Sequence, residues 1–203
     1  MMSAISSLPM SDLQNLFSNR LQENVQIANY TSARIGGRAD AVLTVHSADE
    51  LAKAASALWE RNIPFILLGS GTNVIISDAG VHGVVLLNRA HTVRINAEGQ
   101  PPSVWAESGA NFSAVARQVA LRGMGGLEWA STIPGTVGGA VYGNAGAFGS
   151  DINANFIMAD ILHRSYGRQY WNTEKMAFEY RSSSLKRTTN PAVILSAQLR
   201  LES

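Results

Sequence analysis

The run Ile133-Pro134-Gly135-Thr136-Val137-Gly138-Gly139-Ala140, closing with Asn144-Ala145-Gly146-Ala147, restricts this chain more than any other stretch. It places five glycines and one proline within fourteen residues and carries no charge. Neither a helical nor a strand-like hydrophobic period runs through it. Glycine at that density costs conformational entropy on folding, so the fold must use it. The usual use is a place where main chain comes nearer to a ligand than a Cβ permits. A second bend of this kind, Gly69-Ser70-Gly71-Thr72-Asn73, lies upstream. Two such bends on a scaffold of formal charge +1 point to a large phosphate-bearing cofactor held by main-chain N–H groups.

A chain of 203 residues makes one large domain or two small ones. With 46% hydrophobic and 15% charged residues it has the material for a core. No basic stripe is present, which argues against nucleic acid or a membrane surface as partner. Cysteine is absent, removing disulfides, thiolate metal sites, iron–sulfur clusters and cysteine nucleophiles together, and fitting a reducing compartment. The histidines (His46, His82, His91, His163) are scattered, so no metal site is expected. Met1 to Phe17 has neither the basic nor the apolar region of a secretory signal. No apolar run approaches the roughly 18 residues of a membrane span. The expectation is a soluble, cytoplasmic protein.

Residues 1–27 read as a polar, irregular extension with a short helix around Asp12 to Leu21. Ala41 to Val45 is a strand candidate. Ser47-Ala48-Asp49-Glu50 is a capping box, and Leu51, Ala54, Ala55 and Leu58 give the following helix one apolar face. Strands are expected at Phe65 to Leu68, Val74 to Ser77 and Val84 to Leu87. A second block begins near His91, with strands at Val93 to Asn96 and Val104 to Ser108. Asn111 can cap a helix carrying Phe112, Val115, Ala116 and Val119, stopped by Gly123. Beyond the glycine-rich run, Phe156 to His163, Arg168 to Trp171 and Ala192 to Leu201 read as strands. The division is 1–27 extension, 28–90 first lobe and 91–203 second lobe, an α+β chain with one glycine bend per lobe.

The first bend is neither a P-loop, since no GK[ST] follows, nor a dinucleotide fingerprint, since Val74 stands where a third glycine belongs. The apolar run after it is too short for a helix. A strand–loop–strand hairpin can still aim consecutive N–H groups into one anion nest, and Ser70, Thr72 and Asn73 add neutral donors. A tight β-turn is the alternative. In the second bend, Pro134 fixes φ, Gly135, Gly138 and Gly139 permit close approach, and Thr136 and Asn144 offer polar groups, Asn144 able to read an amide or carbonyl edge. A structural Ω-loop is the alternative there.

GSGTNVIISD at 69–78, IPGTVGGAVYGNAGAFGSDI at 133–152, FEYRSSSLK at 178–186 and YTSARIGGRAD at 30–40 resemble the UDP-N-acetylenolpyruvoylglucosamine reductase family, in the family's order and across nearly the whole chain. The resemblance implies a two-lobed FAD-binding fold of the vanillyl-alcohol-oxidase (PCMH) type, with FAD between the lobes and NADPH as reductant. It implies that Gly69, Ser70, Gly71, Thr72 and Asn73 hold the pyrophosphate. It implies that Pro134, Gly135, Thr136, Gly138, Gly139, Ala140, Asn144, Gly146 and Ala147 line the flavin and its ribityl chain.

The same resemblance implies reduction of the enolpyruvyl double bond of a UDP-sugar in peptidoglycan precursor synthesis. Charge then develops on the α-carbon beside a carboxylate, which calls for a cation or preorganised donors. Arg181 matches the family's arginine in that role, with Tyr180 as a neighbouring substrate contact; a guanidinium stays charged and can fork across a carboxylate. The family's proton-donating serine, in a GS-x-FKNP-type segment, and its late glutamate have no counterpart in this sequence. The chain is therefore expected to be the FAD-binding portion without the C-terminal substrate domain. A flavin-binding module lacking full catalytic activity is the alternative reading.

Overall fold

Two separate sheets organise residues 8–203, the part of the chain that the computed structural model describes, and the chain passes from one to the other at 89–92. The first lobe comprises α1 (Met10–Phe17), β1 (Leu21–Gln26), β2 (Arg38–Val45), α2 (Ala48–Glu60), β3 (Phe65–Leu68) and β4 (Val81–Asn88). Its strands lie in the order β1-β2-β4-β3, with β1 antiparallel to β2 and both β2 and β3 parallel to β4.

The stretch 1–27 is not an irregular extension over its described part: it supplies α1 and the outer strand β1. Leu13, Phe17 and Leu21 recur every four residues and are all buried, which anchors the helix and starts the strand. The polar remainder of β1 hid it, because a border strand with one solvated face needs few apolar residues.

Val74 to Ser77 is not a strand, and the first bend is not a hairpin. Because β3 and β4 run parallel, residues 69–80 must carry the chain back along the sheet. They do so as an irregular crossover in which Ile76 is buried and Ile75 is exposed.

Helix α2 begins as its capping box requires: Ser47 Oγ accepts from Glu50 N at 3.1 Å. The Glu50 carboxylate returns to His46 N at 2.8 Å, one residue earlier than the usual reciprocal bond. Leu51, Ala54, Ala55 and Leu58 share a core with Leu43, Val45, Val84 and Leu86 of the first sheet, and with Leu162, Val193 and Leu195 of the second. The helix thus lies between the sheets. Each buried leucine contributes about 1.5–3 kcal/mol.

The second lobe contains β5 (Val93–Asn96), β6 (Ser103–Glu107), α3 (Phe112–Ala120), α4 (Val137–Tyr142), β7 (Gly146–Ala147), β8 (Ser150–Asp151), α5 (Ile152–Asn155), β9 (Phe156–His163), β10 (Gly167–Asn172), α6 (Thr173–Met176), α7 (Ser184–Arg187) and β11 (Ala192–Arg200). Its main sheet is antiparallel, in the order β10-β9-β11-β6-β5. Alternation along the central strands covers both faces. Leu162, Val193 and Leu195 face α2, while Ile161, Ile194 and Leu199 join Phe112, Val115, Trp129 and Val141 on the side of α3 and α4.

Arg168 of β10 bonds Asp160 of β9 at 2.6 Å and reaches Asp49 in the first turn of α2 at 3.0 Å. The hydrogen bond to Asp160 holds this guanidinium above the ordinary arginine range, against an opposing effect of burial that is larger than the added contribution of the bond to Asp49. Among the described residues no helix is long and apolar enough to cross a membrane, and no cluster of potential ligands for a metal ion occurs.

Candidate cofactor site

The two glycine bends meet, one from each lobe. A Cβ placed on Gly69 would lie 2.7 Å from Thr136 Oγ1, and one on Gly135 would lie 3.1 Å from Thr72 Oγ1. Gly69 has no room for a side chain while the bends stay together, whereas at Gly135 the Thr72 hydroxyl would have to give by a few tenths of an ångström and a φ of +125° favours glycine. Gly71, at φ +64°, is closed off differently: its Cβ would fall 2.0 Å from the carbonyl oxygen of Tyr30. The Gly71 carbonyl in turn accepts from Ser32 N at 2.9 Å. The first bend is therefore packed onto the 30–34 segment as well as onto the second bend.

The supply of main-chain donors differs between the two. The N–H groups of Ser70, Gly71, Thr72 and Asn73 have no acceptor among the described residues, nor do those of Gly135 and Thr136. Such a set of unmatched amides needs water or an anionic ligand. In contrast, the second bend is not an open loop beyond Thr136; it turns into α4. Thr136 caps that helix, its Oγ1 accepting from Gly139 N at 3.3 Å and its carbonyl from Ala140 N at 2.9 Å. Val137 N and Gly138 N donate to Ala110 O and Ser108 O. A run of six helical residues is too short to display a hydrophobic period, which explains the missed helix.

Gly138 and Ala140 accordingly have roles inside the protein. A Cβ on Gly138 would sit 2.8 Å from Ser108 Cβ, so its glycine lets α4 close on the end of β6. Ala140 is buried in the second-lobe core. Gly139 is the exception: its Cβ would meet only Thr136 Oγ1, at an ordinary 3.5 Å. Packing within the protein does not call for glycine there, whereas close approach of a ligand would.

A cleft of about 390 Å³ opens beside the first bend, lined by Asn29, Tyr30, Thr31, Ser32, Arg34, Ser70 and Arg89. The sequence reading supplied only neutral donors here, and the structure adds two guanidinium groups. Arg89 Nη1 donates to Gly69 O at 2.7 Å and to Asn88 O at 3.2 Å. Arg34 sits in the left-handed region at φ +55°. Neither pairs with a carboxylate among the described residues. Arg89 directly follows the buried run of β4, and nothing local to it marks the bond to Gly69 twenty residues away. Arg34 lies within YTSARIGG, whose part in the cleft is visible only once Tyr30 packs on Gly71.

Tyr180 and Arg181 occupy the tip of a tight turn closed by Glu179 N to Ser182 O at 3.0 Å and Ser182 N to Glu179 O at 3.1 Å. Arg181 adopts φ +54°, and Tyr180 is 90% exposed. The Arg181 guanidinium lies 5.9 Å from the Tyr180 ring centroid and has no carboxylate partner among the described residues. Lys186 Nζ donates to Arg181 O at 2.9 Å, which gives that lysine a part in holding the turn.

Asn144, expected to read a ligand edge, instead ties this turn to the glycine-rich run. Its Nδ2 donates to Glu179 O and to Asp151 Oδ2, each at 3.0 Å, and its Oδ1 accepts from Asn153 N at 3.0 Å. Both amide hydrogens are thereby engaged within the protein. Ser183 Oγ adds a bond to Tyr142 O at 2.7 Å. Gly146 and Ala147 form β7 of a small hairpin, where a Cβ on Gly146 would lie 2.6 Å from Ser150 O.

The free amides thus gather at the N-terminal end of α4 and the Arg181 turn is fastened at its C-terminal end. A helix of this length spans about 9 Å. Pro134 lies exposed beside Gly135, ahead of α4.

Residues 39–165 match the family described as FAD binding domain. Among curated relatives, UDP-N-acetylenolpyruvoylglucosamine reductase of Chloroflexus aurantiacus is 35% identical over 87% of this chain and 60% of its own length. The enzyme of the same name from Bacillus subtilis is 36% identical over 88% of this chain and 58% of its own length. The chain therefore spans about 60% of the length of these relatives. Among solved structures, UDP-N-acetylenolpyruvylglucosamine reductase from Thermus caldophilus superposes with a TM-score of 0.72 at 26% identity, covering 90% of this chain and 63% of that one. Cholesterol oxidase from Brevibacterium sterolicum shares the fold, with a TM-score of 0.63 at 12% identity over 90% of this chain and 37% of that one. With its paired lobes, meeting glycine bends and unmatched amides, the chain belongs to the FAD-binding domain family and has the two-lobed fold of the vanillyl-alcohol-oxidase type.

Proposed function

We propose that this chain is the FAD-holding part of a reductase that uses NADPH to reduce the enolpyruvyl group of UDP-N-acetylglucosamine enolpyruvate to UDP-N-acetylmuramate, in peptidoglycan precursor synthesis. The observation that carries the reading is the contact between Gly69 and Thr136, which sets two groups of unmatched amides side by side between the lobes. The similarity to reductases of that name, over nearly the whole chain, supports the choice of substrate.

In this reading the N–H groups of 70–73 and 135–136 bind the pyrophosphate, and Arg89 and Arg34 neutralise it. Gly135 and Gly139 leave room for the cofactor beside α4. The flavin, when bound, supplies the hydride-transfer chemistry. Arg181 holds the substrate carboxylate and stabilises the negative charge developing on the adjacent carbon, a task suited to a preorganised cation without a competing carboxylate. Tyr180 flanks the same position. Lys186 and Asn144 keep the turn in place.

A flavin-binding module without turnover is the competing reading, favoured by one observation. The hydroxyls of Ser183 and Ser184 donate to Tyr142 O and Lys175 O, so neither offers a proton beside Arg181, and of the three serines only Ser182, whose Oγ accepts from Arg187, keeps its O–H uncommitted among the described residues.

Visible absorption of the purified chain after FAD addition tests the cofactor; no flavin bands would end both readings. Anaerobic NADPH then separates them: bleaching supports the reductase, and persistent colour supports the module. In a context that turns over, Arg181→Ala should leave flavin reduction by NADPH unchanged and slow enolpyruvate reduction by about 100-fold, the scale of losing one preorganised charge partner. Equal loss in both steps would refute the assignment.

A further inference from the structure

Glu107, at the end of β6, is 5% exposed, yet it pairs with no cation among the described residues. Its two carboxylate oxygens accept from main-chain N–H groups of two other segments. One is Ala48 N, the first residue of α2, at 2.7 Å; the other is Thr92 N, in the passage between the sheets, at 2.8 Å. Its own N–H donates to Thr92 O at 2.9 Å. A buried carboxylate carries a large desolvation cost, which these charge-assisted bonds and the positive end of α2 offset.

The same junction continues through its neighbours. Ser108 Oγ accepts from Asn88 Nδ2 at 2.8 Å, and Ser108 O accepts from Gly138 N at 2.8 Å. Asn88 Oδ1 accepts from Ala90 N at 3.1 Å, and Arg89, between them, reaches Gly69 O. The end of β4 leads in one step to the first glycine bend, and the end of β6 leads in one step to the second. The Asn88–Ser108 bond joins these two ends, and Glu107, next to Ser108, ties the end of β6 to α2 and to Thr92.

We infer that Glu107 is a positioning residue: it pins α2 and the inter-lobe passage onto the second sheet and so sets the separation of the two glycine bends on which cofactor affinity depends. The inference rests on the cofactor reading above. Glu107 lies under the passage rather than among the amides, so its effect on the cofactor is exerted through the placement of the lobes.

Glu107→Gln keeps the length of the side chain but turns an NH₂ group toward one of the two N–H donors. It should raise the Kd for FAD roughly tenfold, measured by quenching of flavin fluorescence well below the melting temperature. Leu13→Ala, on α1 and outside the hydrogen bonds of the junction, is the control for destabilisation alone; it should lower the Tm and leave the Kd as in the native chain. A native Kd for Glu107→Gln, or an equal weakening in Leu13→Ala, would overturn the pin while leaving the cofactor reading intact. Failure of the native chain to take up FAD would overturn both. If Glu107→Gln does not fold, Ala48→Pro, which puts proline at the first helical position and removes the N–H that Glu107 accepts, should weaken FAD several-fold, and an unchanged Kd there would refute the inference equally.

Discussion

Replacing Gly139 with alanine sets protein stability and cofactor affinity against each other. The residue lies within α4 with an ordinary helical backbone, and its added methyl would touch only Thr136 Oγ1, at 3.5 Å. Alanine is favoured over glycine inside a helix by about 0.5–1 kcal/mol. In a domain of this size each kcal/mol moves the Tm by roughly 2–4 °C, so the cofactor-free variant should melt about 1–4 °C higher. The same methyl projects from the exposed side of α4, next to Gly135, onto the surface assigned to the cofactor. Forcing a methyl into a close-packed contact costs about 1–3 kcal/mol. At about 1.4 kcal/mol per tenfold, FAD should bind roughly 5- to 150-fold more weakly. Thermal melting without FAD and a flavin fluorescence titration measure the two effects on one sample. A lower melting temperature would refute the packing argument, and an unchanged Kd would show that Gly139 does not face the cofactor.

Gly71→Val tests a point on which structure and sequence disagree. The family resemblance assigns Gly71 to the pyrophosphate, where a valine would crowd the ligand, but the new Cβ also meets the Tyr30 carbonyl at 2.0 Å and the residue must hold φ +64°. The left-handed conformation alone costs about 1–2 kcal/mol, so the melting temperature should fall even without FAD; an unaltered melt would restore the crowding explanation. Arg89→Ala removes the bond to Gly69 O and one full charge from the cleft. FAD affinity should fall roughly tenfold at low ionic strength, with the gap to the native chain narrowing as salt rises. A difference independent of salt would mean that Arg89 acts through Gly69 alone.

The elements with strong local signals were readable from the sequence. The capping box and apolar stripe of α2, the Asn111 cap of α3, and the apolar stretches of β9 and β11 each carry their own instructions. The misread parts depend on partners distant in sequence. β1 is polar because only one of its faces is covered, and only its pairing with β2 makes it a strand. Val74 to Ser77 has the composition of a strand, but the parallel arrangement of β3 and β4 leaves it nothing to pair with. At the site, both glycine bends announced themselves by composition, and the structure brings them together. Composition could not separate the glycines that accommodate protein from those that face outward. Gly138 closes on Ser108, Gly71 closes on Tyr30, and Gly139 has nothing of the protein against it but a hydroxyl at contact distance. The duties of Asn144 and Arg89 are bonds to the main-chain carbonyls of Glu179 and Gly69, far along the chain, for which a linear sequence holds no local mark.

The position of β1 bears on how this protein can be trimmed. A shortened version beginning at residue 28, where a composition-based boundary would be drawn, would strip the neighbour from Arg38–Val45 and leave that eight-residue, largely apolar strand with one flank of unpaired amides and carbonyls. Strands bared in this way recruit other copies of themselves. Such a version would lose Leu13, Phe17 and Leu21 from beneath the sheet as well, and should precipitate during preparation before any question about its cofactor could be asked.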